Sequence, residues 1–212
     1  MSSGIDSLPD RRGALIHLDK HDKTLLYLRK NGIWLFDHAR NEWSEAKPEV
    51  TPPSGKDSEG LACYDAGRDW VYACNAVEPT VPFIYDVAGN RWIKPETQGE
   101  PRSVERRAIR TSSAALHYDS TADRLLFFQF RSRDAAGNAN SAEGSGVYAY
   151  APTTATWTTD ATPFPEEFRA ESRRSVNAFY DANLNVHVFH TAGDSRDNGV
   201  IWVYRHGTAA GE

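Results

Sequence analysis

Short apolar runs separated by short polar breaks recur along this chain, and the arrangement repeats four times. Each copy opens on a small or apolar stretch that stops at an acidic residue: 14–19, 60–65, 114–119 and 176–181, ending at Asp19, Asp65, Asp119 and Asp181. A polar turn follows, and aspartate suits that place because its carboxylate accepts backbone N–H bonds. The second run is more apolar, at 25–28, 70–73, 125–128 and 186–189. Continuity in place of alternation predicts strands covered on both faces. The third run, 33–36, 83–85, 147–150 and 201–204, sets aromatic residues two apart, hence on one face of a strand.

Tryptophan marks a fourth strand. Six residues on from Asp37, Asp86 and Ala151 stand Trp43, Trp92 and Trp157, whereas the fourth copy, at Trp202-Val203-Tyr204-Arg205, leads to Gly211 where its tryptophan is due. Asn41 and Asn90 favour tight turns ahead of that strand. A buried Trp removes roughly 150–250 Å² from water, at most about 4–6 kcal/mol, so the mark is first a packing device. A repeat of roughly 50 residues with aromatic marks at fixed offsets predicts propeller blades. Radial packing covers both faces of a blade, which a two-layer sandwich does not.

The layout resembles the kelch repeat, the blade unit of kelch-type and galactose-oxidase-like propellers. The resemblance runs from about Gly13 to Tyr204 and is carried best by the aromatic-Asp-x-x-x-Asn-x-Trp segments at 36–43 and 85–92. The family's paired glycines after the second strand are missing: the matching places read Leu28-Arg29-Lys30, Cys74-Asn75, Phe130-Arg131 and Thr191-Ala192-Gly193. The expectation is an all-β, kelch-like β-propeller domain over 1–212, with four-stranded blades at about 13–48, 59–98, 112–162 and 174–206 and the last one incomplete. Two readings stay open, a closed four-bladed ring or part of a larger propeller. The second predicts an exposed blade face, hence self-association or a covering partner.

Composition adds little: 40% hydrophobic, 25% charged and a net charge of −5, which gives no global attraction to nucleic acid or acidic membranes. No apolar run approaches the about 18 residues of a membrane span, and the first residues lack a signal peptide's basic and apolar stretches. The expectation is a soluble chain of unassigned compartment. Cys63 and Cys74 flank a hairpin turn in which Cys63 should oppose a residue near Val71, so both read as buried thiols.

Loop lengths separate the two rims. The turns from first to second and from third to fourth strand are short, while 44–58, 93–112 and 158–174 between blades, and 75–82, 131–146 and 191–199 within them, are long. Rigid scaffolds carry binding residues on such loops. That rim is rich in arginine, and the candidate ligand-binding residues are Arg106, Arg107, Arg110, Arg131, Arg133, Arg173 and Arg174. Guanidinium forks suit carboxylate, sulfate or phosphate. The same arginines also suit a structural role, bridging blades through Glu105, Glu166, Glu167 and Glu171. The small, polar 131–146 stretch reads as a disordered insertion, or as a lid.

Catalytic and metal signatures are weak. The cysteines are eleven apart without zinc spacing. His187 and His190 point to opposite faces of one strand. His17 and His117 fall in one column of the first strands, with Cys63 and Phe179 in the other copies, a ligand ring at best half built. The copper ligands of galactose-oxidase-like enzymes find no positional match. Residues 194–199 fail calcium-loop spacing, Gly144-Ser145-Gly146 lacks the context of a hydrolase elbow, and the adjacent Glu166-Glu167 has the wrong geometry for a glycosidase pair. The reading is a non-catalytic module that binds a protein or anionic glycan through the long-loop rim, with no cofactor, no nucleic acid and no membrane, and with homo-oligomerisation through an exposed blade edge. The competing reading is a kelch-fold oxidase or carbohydrate-active enzyme.

Overall fold

The computed structural model of the protein describes residues 13–28, 32–50, 61–74, 82–99, 114–130, 132–133, 139–141, 146–160, 164, 176–191 and 199–207. It divides into two compact units, 1–95 and 96–212. The fold class is all-β and the sheets are β-propeller blades, two in each unit. Among the described residues no helix is long and apolar enough to cross a membrane.

In the first unit, blade one is the antiparallel meander β1 (Gly13–Leu18), β2 (Lys23–Leu28), β3 (Gly32–Asp37) and β4 (Glu42–Ala46). Blade two follows as β5 (Leu61–Asp65), β6 (Trp70–Cys74), β7 (Phe83–Asp86) and β8 (Arg91–Ile93). In the second unit, blade three comprises β9 (Ala114–Asp119), β10 (Arg124–Gln129), β13 (Gly146–Ala151) and β14 (Thr156–Asp160). Blade four has three described strands, β15 (Val176–Asp181), β16 (Val186–Thr191) and β17 (Val200–Tyr204). The stretch expected to be a disordered insertion instead contains a small ladder, β11 (Ser132–Arg133) against β12 (Ala139–Ser141).

One turn design recurs. Four residues separate the paired positions Leu18 and Lys23, Asp65 and Trp70, Asp119 and Arg124, and Asp181 and Val186. The fourth of them, Asp22, Asp69, Asp123 or Asn185, is left-handed. The third-to-fourth turns place Asn41, Asn90 and Ala155 the same way, at φ of 54°, 46° and 52°. Asparagine and aspartate tolerate that region, which other side chains disfavour. Where an aspartate precedes the turn, its carboxylate closes it: Arg40 N–H donates to Asp37 (3.0 Å), Arg68 N–H to Asp65 (3.1 Å) and Gly89 N–H to Asp86 (2.9 Å).

Within each unit the closest backbone approach between sheets is first strand to first strand, β1 to β5 and β9 to β15. The core of the first unit joins Ile16, Leu18, Leu25, Tyr27 and Ile33 of blade one to Val71, Ala73 and Tyr85 of blade two. That of the second joins Leu126, Phe128, Phe130 and Val147 to Phe189 and Tyr204. One face of the earlier blade, its leading face, thus covers the opposite, trailing face of the next. In the first unit Trp92 lies on Tyr27, ring centroids 5.7 Å apart; in the second Tyr204 lies on Phe128 at 5.4 Å. Gly99, at φ +68°, lets the chain run beside β14, where Trp157 N–H donates to the Gln98 carbonyl (2.9 Å); a Cβ on Gly99 would meet the Trp157 carbonyl oxygen at 2.6 Å.

Candidate functional site

A phenol-to-turn hydrogen bond is built into the strand ends. Tyr64, Tyr85, Tyr118 and Tyr180 each stand one residue before the turn-closing aspartate. Their hydroxyls donate to the left-handed residue five positions on: Asp69 at 2.6 Å, Asn90 at 2.7 Å, Asp123 at 2.6 Å and Asn185 at 3.0 Å. Burial, then the Asp69 contact, pushes the Tyr64 phenol up, and burial raises Tyr85 to about 12. The Tyr64 and Tyr85 hydroxyls are therefore donors, not acids, near neutral pH. At Asp69 the penalty of burial is outweighed by bonds from Tyr64 and His21, and its carboxyl lies below the ordinary range. His21 Nε2 sits 2.8 Å from Asp69 Oδ1, tying blade one to blade two.

The densest titratable group lies between blades three and four. His117 comes from β9, where β10 holds it opposite Leu126, and His187 comes from β16, opposite Tyr180. Their Nδ1 atoms are 3.0 Å apart. His187 Nε2 lies 3.5 Å from Asp119 Oδ2, longer than a hydrogen bond in good geometry, and neither atom has another hydrogen-bond partner. Tyr180 stacks on His187 at 4.6 Å, and its hydroxyl, whose single proton is shared between Asn185 and Asp119, lies 3.1 Å from Asp119 Oδ1. Asp119 also receives the N–H groups of Thr121 and Ala122, both at 2.9 Å.

The chemistry follows from enclosure. Asp119 and His187 are 0% exposed and His117 is 7% exposed. Burial, with repulsion from His187, lowers His117 to about 3, so its ring is neutral at pH 7. Burial alone would raise Asp119, but contacts from His187, the Ala122 N–H and Tyr180 leave it below the usual carboxylate range, hence ionised. With His117 neutral, one of the two facing Nδ1 atoms donates to the other, and His187 Nε2 is turned toward the Asp119 carboxylate. Phe128 and Phe189 close over His117, each with its ring centroid at 5.5 Å. The arrangement is a dipolar chain ending on a fixed anion, and it joins two sheets.

The sequence flagged His117 for the wrong partnership. His17 does not share its column: the first turn of blade one starts after Leu18, so Leu18 occupies the place of Asp119 and Ile16 that of His117. A one-residue slip sends a side chain to the other face. His17 is exposed, its ring 5.7 Å from His38. Cys63 opposes Tyr72, next to Val71 as expected, and Cys74 opposes Leu61; both thiols are free, Cys74 buried and Cys63 half-buried. Burial lifts Cys63 well above the thiol range and Cys74 to about 12.

Arg106, Arg107, Arg110, Arg131, Arg173 and Arg174 fall outside the described residues. Arg133 lies in β11, where its backbone pairs with Ala139, and its side chain is outside the description. Among the described residues no group of three His, Cys, Asp or Glu side chains is arranged around a metal position.

No protein-family model matches the chain. No curated protein matches it either. Among solved structures it is similar to the GH74 xyloglucanase from Xanthomonas campestris, at 16% identity and a TM-score of 0.48. The match covers 94% of this chain and 29% of that one, so the chain spans under a third of the length of the enzyme it resembles.

Proposed function

We propose that this chain is a kelch-like binding module that takes a protein or an anionic glycan on its long-loop rim. What supports the reading is where the described chemistry goes. At the short-turn end the carboxylates of Asp37, Asp65, Asp86, Asp119 and Asp181 accept backbone N–H groups of their own turns. The cluster of His117, His187 and Asp119 is closed from solvent, so substrate does not reach these rings. Recognition then falls to the opposite rim, where the sequence places the long loops and the arginines. Arg106, Arg107, Arg110, Arg131, Arg133, Arg173 and Arg174 are the proposed anchors for carboxylate or sulfate groups.

The experiment is a titration of uronate-containing and sialylated oligosaccharides against the chain and the Arg106→Ala/Arg107→Ala variant. Saturable binding to the first, reduced at least tenfold in the second and weakened by salt, supports the module. Binding unchanged by the double substitution removes the arginines from the role, and turnover of the sugar in place of binding makes the chain an enzyme.

A further inference from the structure

Six large hydrophobic side chains are more than half exposed among the described residues, and they are not scattered. Phe179 (59%), Ile201 (67%) and Val203 (53%) share the leading face of blade four, with Leu184 (63%) on its first turn. Leu15 (67%) stands on the trailing face of blade one, beside half-buried Phe36 and Trp43. Only Val50 lies elsewhere. Exposed apolar surface gathered on two sheet faces marks places of association.

The two faces carry the two halves of the blade contact seen within each unit. In both units a leading face covers a trailing face, and these two are a leading and a trailing face that neither of those contacts covers. Position by position the halves correspond. Asp181 closes its turn as Asp119 does, by accepting N–H groups two and three residues on, 2.9 and 3.1 Å away. Asp119 accepts from Tyr180 of the next blade, and the place of Tyr180 on blade one is held by His17. Docking of the two faces would set the His17 imidazole against Asp181 as the Tyr180 phenol is set against Asp119 inside the chain. His190 stands where Tyr27 stands in blade one, and Trp43 is the counterpart of Trp92, the ring that covers Tyr27.

We propose that the leading face of blade four docks on the trailing face of blade one of a second copy of this chain, repeating between molecules the blade contact already made within each unit. Phe179 and Val203 would lie on Leu15 and Phe36, with Asp181 accepting a hydrogen bond from His17. Such an interface is head-to-tail, not two-fold, so a pair of copies keeps one free face of each kind.

That asymmetry supplies the test. The chain, Phe179→Glu and Leu15→Glu are compared by light scattering after size exclusion, with circular dichroism to confirm folding; both substitutions fall on exposed positions. The chain alone should exceed 23.6 kDa and grow with concentration. Each variant alone should be monomeric, and a one-to-one mixture should form a species of twice the chain mass, because each retains the half the other lost. A monomeric chain at every soluble concentration, a variant that still self-associates, or a mixture that stays monomeric would each overturn the proposal.

Discussion

The contact between blades one and two and the contact between blades three and four use one backbone and opposite interiors. Three matched positions carry the contrast: Ile16, Leu18 and Val71 in the first unit stand where His117, Asp119 and His187 stand in the second. Their exposures agree, 7%, 0% and 1% against 7%, 0% and 0%, so enclosure is the same and only the chemistry differs. The first unit seals the contact with aliphatic side chains and keeps its polar link, His21 to Asp69, at the edge. The second buries the link. A propeller blade therefore does not need polar groups at this depth, and their presence couples the second unit to pH.

The largest expected effect comes from breaking the buried link on one side. His187→Ala leaves Asp119 Oδ2 and His117 Nδ1 without their neighbour and opens a cavity, and should cost about 3–5 kcal/mol in denaturant unfolding. A cost below about 1 kcal/mol would mean that the cluster contributes nothing to the contact.

Acid should act next, and with a definite sign. His117 is held near 3 in the fold against 6.5 in the unfolded chain. Between those values the unfolded chain binds more protons, so stability that is complete above about pH 6.5 is lost as pH falls toward 3. Asp119, also lowered, adds its loss only beneath 3.8. Unfolding curves taken from pH 7 to 4 should show this decline, and His117→Ile should flatten it.

Making the second unit like the first should be mild. In His117→Ile/His187→Val, Asp119 keeps its turn N–H groups and Tyr180 while its Oδ2 loses its neighbour and no cavity opens, so stability should lie between that of the parent and that of His187→Ala. A loss as large as that of His187→Ala would show that the two contacts are not interchangeable.

The smallest change sharpens the turn comparison. Ala155 holds the left-handed place that Asn41 and Asn90 hold elsewhere. Ala155→Asn should therefore gain about 0.5–1 kcal/mol by reproducing the Tyr85–Asn90 arrangement beside Tyr150. No gain would separate this turn from its equivalents.

Much of this was written plainly in the residues, and the misses have physical causes. Strand order and sheet membership followed from apolar runs, and the left-handed sites from Asn41 and Asn90. Blade one was shifted by one residue because Asp19 resembles the turn-closing aspartates, whereas the backbone counts back from left-handed Asp22 to Leu18. The His117–His187 pair joins residues 70 apart on different sheets, which no local pattern reveals. A signal existed nonetheless: both histidines occupy columns that Ile16 and Val71 make apolar in the first unit. The arginine rim gave composition without geometry, since its loops carry no strand period to place the side chains.

The account turns on a buried histidine pair in which enclosure between two blades keeps the His117 ring neutral. Imidazole nitrogen shifts of the intact chain, followed by NMR from pH 8 down to the start of acid unfolding, test it directly. His117 should keep one unprotonated ring nitrogen throughout the folded range. A His117 ring that protonates with a midpoint near 6.5 would contradict it, because such a ring is in water and not sealed against His187.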